Sequence, residues 1–205
     1  MILCKKRAIK ILTLLFGIWI LHCGFLQASA SPQDLNSFGE QVLRNQTIQN
    51  LNHSGHIEIA DTTIRGTATI NGTINVKNSR FSELFVNGDI VIDDSTVSKN
   101  LTVNGSMDAD NSRFEAAVRI NGMIAAESSQ FSQGITVHGN HAEFEECKLH
   151  SLQIKKPQGV ALQEVYLEET IVQGDIVFEQ EGGVVLIDSQ SKIMGSLKGG
   201  TIKQA

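Results

Sequence analysis

NSRFEAAVRINGM, Asn111 to Met123, restates a phrase the chain has already used. Asn78-Ser79-Arg80-Phe81 carries the same four letters 33 positions earlier. Each copy leads into an aliphatic-x-aliphatic-Asn-Gly element, LFVNG at Leu84 to Gly88 and VRING at Val118 to Gly122. Self-similarity at fixed spacing is the mark of a repeat architecture, so the period comes before any single element. Working outward from this stretch, the chain divides into segments 57–73, 74–89, 90–106, 107–123 and 124–140, four of 17 residues and one of 16. A sixth unit begins at Ala142, a seventh at Val165 after an insertion around Pro157-Gln158-Gly159, and a looser eighth at Val184.

Within each unit, apolar residues alternate with polar ones over short runs, the period of strands that bury one face. Gly and Asn recur at the breaks. A unit of 16–17 residues holding three short strands cannot bury its apolar side alone, but coils stacked on one another can. The sequence therefore predicts an all-β protein: a single-stranded parallel β-helix, or β-solenoid, with triangular coils, against which an ordinary β-sandwich offers no reason for a constant register. Aligned units give an inward column of Ile64, Phe81, Val97, Phe114, Phe131 and Leu149, and beside it a small-residue column of Thr62, Ser79, Ser95, Ser112, Ser129 and Cys147. Asn-Gly pairs mark corners at Gly72, Gly88, Gly105 and Gly122, with His138-Gly139 in the fifth unit, where a positive φ is expected.

Those corners also carry a resemblance. The units Ile70-Asn71-Gly72-Thr73-Ile74, Val86-Asn87-Gly88-Asp89-Ile90, Ile120-Asn121-Gly122-Met123-Ile124 and Val172-Gln173-Gly174-Asp175-Ile176 resemble the aliphatic-x-Gly-x-aliphatic elements of bactofilin-type, polymer-forming β-helices. The likeness covers roughly Ile57 to Ile202. It implies the stacked three-stranded fold and a self-assembling scaffold, and it brings no catalytic residues. Bactofilins resemble cytoplasmic scaffolds, whereas this chain opens with an export pattern.

Lys5, Lys6, Arg7 and Lys10 precede an apolar run from Ile11 to Leu21, and Ala28-Ser29-Ala30 follows as an A-x-A site. That layout is a secretory signal peptide over residues 1–30, too short and too interrupted by His22 for a spanning helix. The expected organisation is thus a leader, an N-terminal cap segment with a partial first coil at 31–56, and a solenoid at 57–205. Without the leader, 13 basic residues face 22 acidic ones, a net charge of −9. Such a surface repels nucleic acid and anionic membranes. No membrane anchor is expected after cleavage, and the destination is periplasmic or extracellular. Cys147 then stands alone, so no internal disulfide forms, and its alignment with hydroxyls reads as a small buried residue.

No catalytic, cofactor or metal residues emerge. His138, His141, Cys147 and His150, with Glu143, Glu145 and Glu146 between them, look like a metal set when written as a list. On a solenoid His138 and His141 share one corner, Cys147 points inward and His150 belongs to another edge. A carbohydrate-active β-helix enzyme would need acids gathered in a loop-built cleft, and only the Lys155–Glu164 interruption could supply one. A further column reads Asp61, Asn78, Asp94, Asn111, Ser128, Glu146 and Glu169. Its first four members alternate charged and neutral, which spaces like charges, and Arg80 and Arg113 are expected to reach the acids of adjoining coils. At the start, Ser31 and Pro32 suggest a helix N-terminus, and Leu35, Phe38, Val42 and Leu43 share a helical stripe despite Gly39. A short capping helix is expected there. The functional expectation is an exported, non-catalytic structural or binding protein whose partner is a copy of itself, an envelope protein or a glycan.

Overall fold

The computed structural model describes residues 32–155 and 162–204, which leaves the expected leader and most of the interruption outside the described residues. Strand β1 (Leu35–Arg44) pairs in parallel with β3 (Leu51–Ala60), which pairs with β4 (Thr63–Lys77), which pairs with β5 (Arg80–Asn87). The two-residue β2 (Thr47–Ile48) starts a separate ladder against the beginning of β4. The pattern continues to Gly200–Gln204 with parallel pairings throughout. The all-β solenoid is therefore observed.

Registers give the coil lengths. One column runs Leu35, Leu51, Ala68, Leu84, Leu101, Val118, Ile135, Leu152, Ile176, Leu197, ten rungs in all. At about 4.8 Å per rung the stack is about 43 Å long. Three faces follow one another in each coil. In the coil of Asn111 they are Leu101–Asn104, Met107–Asp110 and Arg113–Phe114.

The core lies between the faces. The expected inward column Ile64, Phe81, Val97, Phe114, Phe131, Leu149 is buried at every position and in register on the third face. Phe114 and Phe131 stack with ring centroids 4.8 Å apart, the rung spacing itself, and Phe144 meets Phe131 edge-on at 5.9 Å. Each such phenyl contributes about 1.5–3 kcal/mol relative to exposure.

Among the described residues the expected capping helix is absent: Leu35–Arg44 is a strand and forms the first coil, so the solenoid begins at Leu35 rather than after residue 56. The physical reason lies in two competing periods. A helical stripe would have buried Phe38 and Val42 together, yet these are 86% and 51% exposed. The alternate set Leu35, Ser37, Gln41 and Leu43 lies in register with Leu51, His53, Ile57 and Ile59 and takes its ladder bonds from them. A ready strand edge satisfies ten backbone units at once, and Gly39, at φ 84°, weakens the helix further.

The corners are also distributed differently. The Gly column has φ of 129° at Gly55 and 140–156° at Gly72, Gly88, Gly105 and Gly122, while Gly139 is not in this region. A Cβ on Gly105 would lie 2.2 Å from the Gly88 carbonyl oxygen, and one on Gly139 would lie 2.0 Å from that of Gly122. Close approach of successive backbones, more than φ, excludes every other residue there. The positive φ expected at Gly72, Gly88, Gly105 and Gly122 is present, and a second positive-φ corner belongs to the Asx column: Asn45, Asp61, Asn78, Asp94, Asn111, Ser128, Glu146 and Glu169 all have φ of 46–54°. Asn and Asp tolerate this region best among residues with a Cβ, which accounts for their frequency in the column.

Candidate functional site

Three side-chain ladders line the corners and are occupied by the fold itself. In the small-residue column, each backbone N–H donates to the hydroxyl one coil on: Thr62 to Ser79 at 3.1 Å, Ser79 to Ser95 at 2.9 Å, Ser95 to Ser112 at 3.1 Å, Ser112 to Ser129 at 3.0 Å. The Thr62, Ser79, Ser95 and Ser112 hydroxyls donate in turn to the carbonyl two residues before them, as Ser95 does to Asp93 at 2.7 Å. Cys147 interrupts this series. Its thiol is 1% exposed and donates weakly to the Ala126 carbonyl at 3.3 Å. Burial pushes its pKa up to about 11, so it is not a ready nucleophile.

Beside the glycines runs an amide ladder. Asn87 donates to Asn71 at 2.8 Å, Asn104 to Asn87 at 2.6 Å, and Asn121 to Asn104. In the Asx column, Asn78 donates to the Asp61 carboxylate and Asn111 to that of Asp94. The arginine pairing expected from the sequence is not observed: among the described residues Arg80 and Arg113 form no ion pair. A short amide one rung away reaches a carboxylate with little loss of rotamer freedom, which a long guanidinium arm cannot match.

The histidines separate as expected on a solenoid. His138 ends the first face in register with Lys155, His141 begins the second and sits 3.6 Å from Glu143, Cys147 is inside, and His150 is exposed. Among the described residues no three His, Cys, Asp or Glu side chains are grouped so as to hold a metal ion. Burial, then Lys155 and Arg119, hold the His138 imidazole below its usual range. A second histidine escaped the sequence reading. His53 is fully buried, with Nδ1 at 2.8 Å from Ser37 Oγ and Nε2 without a partner. Its signal was the alternation Leu51-x-His53, which places it one rung above Ile70.

The feature with most chemical character is one the sequence reading passed over. The residue just before each Asx position faces outward at the end of the second face, and its column reads Lys77, Asp93, Asp110, Glu127, Glu145, Glu168. Lys77 bonds Asp93 at 2.9 Å. Asp110, Glu127, Glu145 and Glu168 make no ion pair or side-chain hydrogen bond among the described residues. Glu168 chiefly, with reduced hydration and then Glu127, Glu146 and Glu143, holds the Glu145 carboxyl above the usual carboxylate range.

Two residues earlier on the same strands, Val91, Asp108, Ala125, Glu143 and Tyr166 face outward. Here the face is grooved. A depression of about 390 Å³ has Val91 and Met123 as its exposed apolar walls, with Asp89, Asp108 and His141 at its rim. A second groove of about 270 Å³ lies between Glu143, Tyr166, Leu186 and Asp188. This arrangement can hold apolar and cationic groups together.

No protein-family model, curated protein or solved structure matches this chain.

Proposed function

We propose that this chain is an exported, non-catalytic β-helical rod that acts as a structural or binding module of the bacterial envelope or extracellular space. The observation that supports it best is the second face, a straight, outward-facing surface carried through consecutive rungs. The corner side chains of the ladders bond one another, so the regular surface is a scaffold for contact. The signal layout at residues 1–30 supports export. The test has two arms. Expression with residues 1–30 present, followed by N-terminal sequencing of the released protein, should show cleavage after Ala30. A glycan turnover screen should show no degradation, and turnover that survives purification would overturn the non-catalytic reading.

A bactofilin-like scaffold is the second reading, favoured by the ends. With β1 in place of a helix, the outer edge of the first coil has no strand partner among the described residues. At the other end, Ile202 is 51% exposed at an inward position, next to partly buried Leu197 and Ile193. Light scattering with electron microscopy of the purified protein distinguishes the two: fibres support the scaffold, and a concentration-independent monomer removes it.

A further inference from the structure

We propose that the second face is a docking surface for an extended basic segment of another polypeptide, with apolar side chains set between its lysines or arginines. This rests on the binding-rod reading and names the partner's chemistry.

Two features of the same strands point to it. The strands Ile90–Asp93, Met107–Asp110 and Ile124–Glu127 each turn two residues outward: Val91 and Asp93, Asp108 and Asp110, Ala125 and Glu127. The first of each pair borders the groove of about 390 Å³, whose exposed apolar walls are Val91 at 48% and Met123 at 49%. The second belongs to the file of carboxylates. A groove with apolar walls alone would suit many occupants. Beside Asp110, Glu127 and Glu145, unpaired among the described residues, it selects one that carries positive charge on either side of an apolar group.

The alternatives fit less well. A lone divalent cation needs converging oxygens, but these carboxylates stand in file at about 4.8 Å per rung and do not surround a point. It would also have no use for Val91 and Met123. A second copy of this chain, at −9 without the leader, would be repelled by this face, and so would an anionic membrane. Geometry favours a segment lying along the rod, across the strands. In a polyproline II segment residues i and i+3 point the same way about 9.3 Å apart, and two rungs span about 9.6 Å, so basic side chains three residues apart can meet alternate carboxylates.

The experiment titrates the purified chain with three probes: a ten-residue peptide with lysine at every third position and leucine between, decalysine, and calcium chloride alone. Binding is read by calorimetry at 50 and 300 mM NaCl. The Lys-Leu peptide should bind at least tenfold more tightly than decalysine, and more weakly at the higher salt. Val91→Lys and Met123→Lys, both surface changes, should each weaken it at least tenfold. Phe85→Lys, on the exposed side of the first face, should leave it unchanged. The double variant Glu127→Gln/Glu145→Gln removes repulsion, so it folds at least as stably, and it should weaken both peptides. Equal affinity for decalysine and the Lys-Leu peptide would overturn the proposal. So would indifference to Val91→Lys and Met123→Lys, or displacement of the peptide by millimolar calcium. Any of these outcomes leaves the rod reading standing, because cleavage of the leader and the turnover screen are measured independently.

Discussion

Replacing Asn111 with Asp tests the electrostatics of the Asx column while leaving the backbone nearly untouched. The side chains are isosteric, and both tolerate the φ of 48° at this corner. What changes is the contact with Asp94: an amide that donates to the Asp94 carboxylate becomes a second carboxylate. Two unit charges about 5 Å apart repel by about 0.8 kcal/mol at the screening of bulk water and about 3 kcal/mol at an effective dielectric of about 20. Both residues are exposed, so the lower figure governs. The lost hydrogen bond adds about 1 kcal/mol. The expected loss is about 1–2 kcal/mol, or about 3–6 °C in Tm for a domain of this size.

The pH dependence has a definite sign. Facing carboxylates favour the protonated form in the folded state, which raises their folded pKa above the ordinary value of about 3.9. The deficit is therefore fully present at pH 7, shrinks as the pH falls through the raised values, and is nearly gone at pH 3. Thermal melts followed by circular dichroism at pH 7 and pH 3, each against the parent protein, measure it. Asn78→Asp, opposite Asp61, should behave alike, and Arg113→Ala should change Tm little because Arg113 forms no ion pair. An unchanged Tm at pH 7, or an equal deficit at both pH values, would refute the reasoning.

Other consequences are as direct. Gly105→Ala would place a Cβ 2.2 Å from the Gly88 carbonyl oxygen, so it should cost about 3 kcal/mol or more and reduce soluble yield, as urea denaturation would show. Cys147→Ser restores the hydroxyl that the column has at its other positions and gives the Ser129 N–H an oxygen acceptor; Tm should hold or rise, and a large fall would contradict the ladder. Glu145→Gln should raise Tm at pH 7. The repulsion in the parent appears only as the pH rises through Glu145's raised folded pKa, so the gain should vanish near pH 4. Asp175 is held at about 2, first by the Ser196 backbone N–H and then by Lys198, so its stabilisation is present above the usual carboxylate pKa and lost as the pH falls toward 2. Asp175→Asn should loosen the last rung at pH 7, read as faster amide exchange across Leu197–Lys198.

Much of this molecule was legible in its letters. The 17-residue register, the buried column from Ile64 to Leu149 and the placement of Cys147 among hydroxyls follow from alternation and repetition alone, because a strand has a period of two and a coil must reproduce its neighbour. The candidate interaction face was legible in part. The acids Asp93, Asp110, Glu127, Glu145 and Glu168 stand at one repeat position, where like charges follow one another without the neutral residues that alternate in the adjacent Asx column.

The rest needed the third dimension. Leu35–Arg44 satisfies a helical stripe and a strand alternation at once, and the waiting edge of β3 decided between them, since ladder bonds to a formed coil outweigh a local preference. Which of two neighbouring positive-φ corner columns is also crowded to glycine depends on how closely successive backbones approach. Whether an acid meets an amide one rung away or an arginine in the next column depends on side-chain reach. The sequence by itself determined the period, the inward faces and the residue chemistry of each column. Only the stacked structure decided what each column touches, because those contacts lie between residues 16 or 17 apart in the chain and one rung apart in space.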